Sequence, residues 1–188
     1  MNKKNKDPYR RLAREAISQY LQSHQIISIP ASLPGEMTRK RSGVFVSIHR
    51  KDGTLRGCIG TILPIQRNIA EEIIANAIGA ATQDPRFPAV SSNELPKLDI
   101  SVDVLSEPQP VTQNFRIGNR RPEILDPRKY GLIVTGQGGR KGLLLPDIPE
   151  VNSASEQIKI CYQKAGLFPH ETVKLEIFKV ERHQNHQV

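Results

Sequence analysis

The stretch GVFVSIHRKDGTLRGCIGT, residues 43–61, limits the fold more than any other part of the chain. Apolar side chains alternate on both sides of Asp52-Gly53, a pair favoured in two-residue hairpin turns. Such a turn places Val46 opposite Ile59, Ser47 opposite Cys58, Ile48 opposite Gly57 and His49 opposite Arg56. Successive side chains point to opposite faces of a strand. One face then carries Val44, Val46, Ile48, Leu55 and Ile59, and is the core face. The other carries Phe45, Ser47, His49, Arg56, Cys58 and Gly60. A slip of one residue would separate the valines from Leu55 and Ile59, so the apolar pattern supports this register.

Glycine weakens a strand interior, so Gly57 and Gly60 each need a reason. Gly57 falls on the core face, where a neighbour can approach closely. Gly60 shares the face of Cys58 and leaves backbone open to a ligand or to another element. A cysteine near Arg or His can have a lowered pKa and act as a nucleophile. On that reading Cys58 attacks, His49 is the base and Arg56 stabilises developing negative charge. The same residues suit a ligand or partner surface along Leu55 to Thr61, and they also suit a cysteine packed as a small hydrophobe. The residues alone leave the three readings open.

The remaining elements surround this hairpin. Asp7-Pro8 predicts a helix start, and Leu12, Ala16, Ile17, Tyr20 and Leu21 form its apolar stripe. SIPASLPGEMTRKRS reads as a loop. LPIQRNIAEEIIANAIGAATQ reads as a helix with Ile65, Ile69, Ile73 and Ala77 on one face and Glu71 and Glu72 on the solvated one. Prolines stiffen the next loop, DPRFP. There Asp84 is expected to cap and pair locally, Arg86 to meet an anion and Phe87 to pack. Ser91 to Glu94 fits a capping box for a short helix. LDISVDVLS alternates as a strand with Ile100, Val102 and Val104 on one face. YGLIVTGQGGRKGLLLP reads as a second hairpin, because its glycine-rich turn lacks the phosphate-loop pattern. Ser153 to Glu156 opens a helix that ends near Gly166, with Cys161 packed inside. TVKLEIFKV is the last expected strand, and ERHQNHQV is expected to fray. Frequent hairpins separated by helices argue for an α+β fold, with a mostly antiparallel sheet and flanking helices in a single domain over residues 1–188.

Composition narrows the function classes. No apolar run approaches the roughly 20 residues of a membrane span, and the start lacks a signal-peptide pattern. The two cysteines form no CxxC, and the five histidines show no metal-ligand spacing on a predicted helix. The expectation is a cytoplasmic protein that holds no metal or cofactor and meets no membrane. The net charge of +8 favours an anionic ligand, RNA or an acidic protein as partner. The densest basic groups are Lys3, Lys4, Lys6, Arg10, Arg11 and Arg14, and then Arg39 to Arg41. Aromatics are only 5%, without Trp, so base stacking has few candidates. RNA binding through the first helix therefore rests on charge.

LRGCIGT resembles the hallmark of the AMMECR domain family, called protein A of the AmmeMemoRadiSam system. GVFVSI, AATQDPRFPAV, ELPKLDISVDVLSEP, YGLIVTGQGGRKGLLLP and CYQKAGL follow the family's blocks in order, over roughly residues 40–168. After LLLP the family usually has QV and a Trp-containing segment, where this chain has DIPEVNSASEQ. The resemblance implies an α+β fold with a larger and a smaller part and a cleft between them. It maps the family's strongest pattern onto Leu55 to Thr61 and Asp84 to Pro88. It implies association with MEMO-type and radical SAM proteins in a shared modification pathway, with a proposed role in RNA modification. It implies no established activity.

Overall fold

Val44, Val46 and Ile48 are fully buried, as their alternation requires. They sit on strand β1 (Val44–His49), which pairs on one side with β2 (Leu55–Gly60) and on the other with β3 (Asp99–Leu105). The computed structural model describes residues 7–111 and 125–185. Lys3, Lys4, Lys6, most of the connection after Val111 and the end of the tail, with His186, lie outside them. The fold is α+β. Among the described residues it has two antiparallel four-stranded sheets and four helices, where the sequence pattern pointed to one sheet.

The chain divides into two units. The first runs to Leu105 and takes in the residues from Glu181 onward. Its sheet has the order β2-β1-β3-β8, with β8 at Val180–His183. Helices α1 (Pro8–Ser23) and α3 (Ile69–Thr82) pack on the sheet through Leu12, Ala16, Ile17, Ile73 and Ala77. Burying such aliphatic side chains contributes about 1.5–3 kcal/mol each. A typical hydrogen bond nets only about 1 kcal/mol, so the apolar face fixes the register. The second unit, Ser106–Val180, has the sheet order β4-β7-β5-β6. Its strands are β4 (Gln109–Pro110), β5 (Gly131–Thr135), β6 (Lys141–Leu144) and β7 (Lys174–Phe178). Helix α4 (Ala154–Lys164) packs on β5 and β6.

The start of α1 forms as the sequence predicts, with Asp7 accepting from the N–H of Arg10 at 3.0 Å. Ser153 and Glu156 make a complete capping box at α4. Cys161 is buried on α4, and burial pushes its thiol up to about 12. Other expectations are corrected. The Pro-rich loop contains a short helix, α2 (Gly35–Arg39). α3 begins at its N-cap Asn68, so Ile65 precedes it and is exposed. Glu72 is buried, because its carboxylate accepts from Thr61 Oγ1 and from the N–H groups of Ile65 and Gln66, each at 2.8 Å. Ser91 to Glu94 leads into a 3-10 turn, Leu95–Lys97. The start of the supposed tail is strand β8. His183 there stacks on Tyr9 at 3.8 Å between ring centroids and pairs with Asp7 at 2.8 Å.

Both hairpin glycines have packing reasons. A Cβ on Gly57 would lie 2.2 Å from the backbone oxygen of Ala80 in α3. A Cβ on Gly60 would lie 2.2 Å from the Phe45 ring, which covers that glycine from the paired strand. The Ala80 carbonyl belongs to a helix and cannot give way as a side chain can. Gly57→Ala should therefore cost about 3 kcal/mol, the upper end of overpacking penalties. A urea unfolding midpoint equal to that of the parent chain would contradict this contact.

Candidate functional site

The hairpin turn has one residue more than the sequence suggested. The Arg50 N–H donates to the Thr54 carbonyl at 2.9 Å and the Gly53 N–H to the Arg50 carbonyl at 3.0 Å, with Gly53 at φ 85°. This is a type I turn closed by a left-handed glycine. His49 consequently pairs with Leu55, and the register shifts between Ile48 and His49. Arg56 is the extra residue of a bulge, and beyond it Ser47 pairs with Cys58 as expected.

The bulge redirects Arg56. Its side chain is only 5% exposed. Its Nε donates to Glu94 Oε1 at 2.7 Å, Nη2 to Glu94 Oε2 at 3.1 Å and Nη1 to the Pro88 carbonyl at 2.8 Å. Arg56 thus ties the end of the DPRFP loop to the sheet and is not opposite His49. Glu94, which the sequence reading assigned to a helix cap, is its partner, and Arg56 holds that carboxyl below its usual range.

β2 is the edge strand of its sheet. An edge leaves backbone groups unpaired. Here Asp84 accepts from the Cys58 N–H at 2.8 Å, and Arg86 Nη2 donates to the Cys58 carbonyl at 3.3 Å. Asp84 and Arg86 are themselves paired, at 2.9 Å through Nε and 2.7 Å through Nη2. The Asp84 carboxyl is buried yet held far below the usual carboxylate range, chiefly by its hydrogen bonds from Arg86. The Arg86 guanidinium carbon lies 5.5 Å from the centre of the half-buried Phe87 ring.

The Cys58 thiol accepts from Ser47 Oγ at 3.2 Å. Burial raises its pKa, and the Ser47 hydrogen bond and the Arg86 charge only partly offset this. The cation acting on the thiol is Arg86, not Arg56 or His49. Burial lowers the His49 pKa, against the pull of Asp103 and Asp99. Asp103 is buried beside Arg182 at 2.9 Å, and neither was a sequence candidate. The alternation of DISVDV placed Asp99, Ser101 and Asp103 opposite the core face, so the signal for Asp103 was present. Of the remaining candidates, Gly57 and Ile59 face α3, Leu55 is half-buried and Thr61 belongs to the Glu72 network. In the first helix, Arg10 and Arg14 donate to the carbonyls of Ile100, Leu95 and Leu98. In the glycine-rich turn region, Arg140 pairs with Glu171. Among the described residues, no group of three or more His, Cys, Asp or Glu could hold a metal ion, and no helix is long and apolar enough to cross a membrane.

The family pattern LRGCIGT therefore coincides with the edge strand, and DPRFP with the loop that closes it. The sequence profile of the AMMECR1 family matches residues 10–187. The chain belongs to the AMMECR1 family. A Clostridium acetobutylicum protein is 50% identical over 97% of this chain, which spans only 37% of that relative's length. A Thermotoga maritima protein is 46% identical over 94% of this chain and 97% of its own. The crystal structure of the uncharacterized protein PH0010 from Pyrococcus horikoshii superposes with a TM-score of 0.83 at 35% identity, covering 93% of this chain and 88% of that one. These AMMECR1 relatives carry no stated activity in their names.

In a Cys161→Ala chain, alkylation of Cys58 should rise with pH to a midpoint above the free-thiol value of about 8.5. Arg86→Gln should move the midpoint further up by removing the charge that favours the thiolate. A midpoint near or below neutrality would contradict the thiol's environment.

Proposed function

We propose that this AMMECR1-family chain recognises an anionic group, on a small molecule or a partner protein, at the edge formed by Cys58 and Arg86. In this reading it serves as an accessory component of a modification pathway with MEMO-type and radical SAM proteins. The observation that carries the reading is Arg86. Its side chain is 56% exposed, yet Asp84 holds it through two donors and the Cys58 carbonyl through a third contact. Its Nη1 has no hydrogen-bond partner among the described residues. The fork is oriented before any ligand arrives, which reduces the ordering cost of binding. A guanidinium fork fits carboxylate and phosphate oxygens. Asp84 offsets its charge, so the edge suits one oriented anionic group better than a polyanion. Arg10 and Arg14 commit side-chain donors to internal carbonyls, which weighs against the RNA reading.

A nucleophilic role for Cys58 has less support. Burial favours its protonated form more than Ser47 and Arg86 oppose it, and its hydrogen-bond partner is Ser47, not a base. The test is an amide chemical-shift titration of the labelled chain, first with inorganic phosphate and then with a purified MEMO-type protein. Shifts should centre on Cys58, Arg86 and Phe87. Arg86→Ala should weaken binding at least about tenfold, roughly 1.4 kcal/mol, while Cys58→Ser retains it. Shifts confined to other regions would defeat the reading. Loss of binding in Cys58→Ser alone would favour the thiol chemistry instead.

A further inference from the structure

The basic run Arg39 to Arg41 takes no part in the Cys58 edge. We propose that it forms, with the loop of residues 61–67, a docking surface for an acidic protein segment bearing an apolar side chain beside its carboxylates. Leu63 and Ile65 are 53% and 72% exposed. Their loop is nevertheless held from two directions. Glu72, only 1% exposed, accepts from the N–H groups of Ile65 and Gln66 at 2.8 Å. From the other direction, Arg41 Nε donates to the Gln66 carbonyl and Nη2 to the Pro64 carbonyl, both at 3.1 Å. A buried carboxylate is costly unless hydrogen-bonded. Here it fixes the backbone of a loop that holds two branched aliphatic side chains in water.

The surrounding charge indicates the occupant. Arg39, Lys40 and Arg41 are consecutive and exposed, and none forms an ion pair among the described residues. Arg67, in contrast, is paired with Glu71 at 2.6 Å. The Nε of Arg41 and one Nη2 hydrogen face the loop. This leaves the edge formed by Nη1 and Nη2 for a carboxylate, which guanidinium binds in a bidentate manner. Two exposed apolar side chains on a loop that Arg41 grips, with Arg39 and Lys40 adjoining Arg41 in the chain, complement an apolar side chain flanked by carboxylates. An anionic bilayer would satisfy the charge but would make no use of a guanidinium already oriented by two carbonyls. RNA would leave Leu63 and Ile65 in water.

A phage-displayed library of random short peptides, selected against the full chain, tests this. A Leu63→Ser/Ile65→Ser chain serves for counter-selection, and thermal melts verify that each variant folds. Enriched peptides should carry Asp or Glu close to Leu, Ile, Phe or Trp. Their affinity should fall at least about tenfold in Ile65→Ser and in Arg39→Gln/Lys40→Gln, which leaves the loop's own hydrogen bonds intact. It should also weaken with added salt. Absence of enrichment over the counter-selected chain, enrichment of peptides without carboxylates, or unchanged affinity in both variants would overturn the proposal. Cosedimentation with phosphatidylcholine–phosphatidylserine vesicles that Ile65→Ser abolishes would assign the surface to membranes and overturn it too.

Discussion

The Cys58 edge depends on one carboxylate. Asp84 accepts the outward N–H of Cys58 while its own charge is matched by Arg86, which returns a donor to the Cys58 carbonyl. A bare strand edge invites pairing with other chains. A buried, unpaired carboxylate would be very costly. The two problems solve each other here, because an ion pair two residues apart supplies the acceptor and the donor that one residue of the edge strand lacks. The two prolines of DPRFP limit the loop's freedom, so holding this geometry costs less entropy. Arg56 binds the far end of the same loop through Pro88 and Glu94.

This arrangement changes what the hallmark segment means chemically. Arg56 and Cys58 are close in sequence, but the bulge separates their roles. Arg56 is buried and structural, and Arg86 is the exposed cation at the thiol. Gly57 admits the helix backbone and Gly60 lies under Phe45. The residues that look most like a catalytic cluster in one dimension are therefore mostly packing and loop-closing residues. What remains accessible is an oriented guanidinium beside a protonated thiol. That arrangement suits recognition better than covalent chemistry.

Much of this was legible in the sequence, for physical reasons. The valine alternation placed Ser47 against Cys58, because burying the wrong face would cost several aliphatic side chains at once. Asp7 and Ser153 marked their helix starts because their side chains satisfy the free N–H groups of a first turn. The role of Arg56 was not legible. A three-residue turn and a compensating bulge leave the register from Ile48 onward unchanged, so the apolar pattern cannot reveal them. Glu72 was missed because two of its three partners are backbone N–H groups, which carry no sequence signal. β8 was missed because a short polar strand reads like a tail until Tyr9 and Asp7 are seen to hold His183.

Amide hydrogen exchange at Cys58, compared between the parent chain and Asp84→Asn, tests the central claim most directly. If the Asp84 carboxylate seals the edge, the Cys58 amide of the parent exchanges as slowly as its neighbours in β1. The substitution should then accelerate it by about tenfold or more, in line with the 1.5–3 kcal/mol of a hydrogen bond to a charged group, while Val46 and Ile48 keep their protection. Equal Cys58 exchange in the two chains would contradict the account, because the edge would then be closed without Asp84.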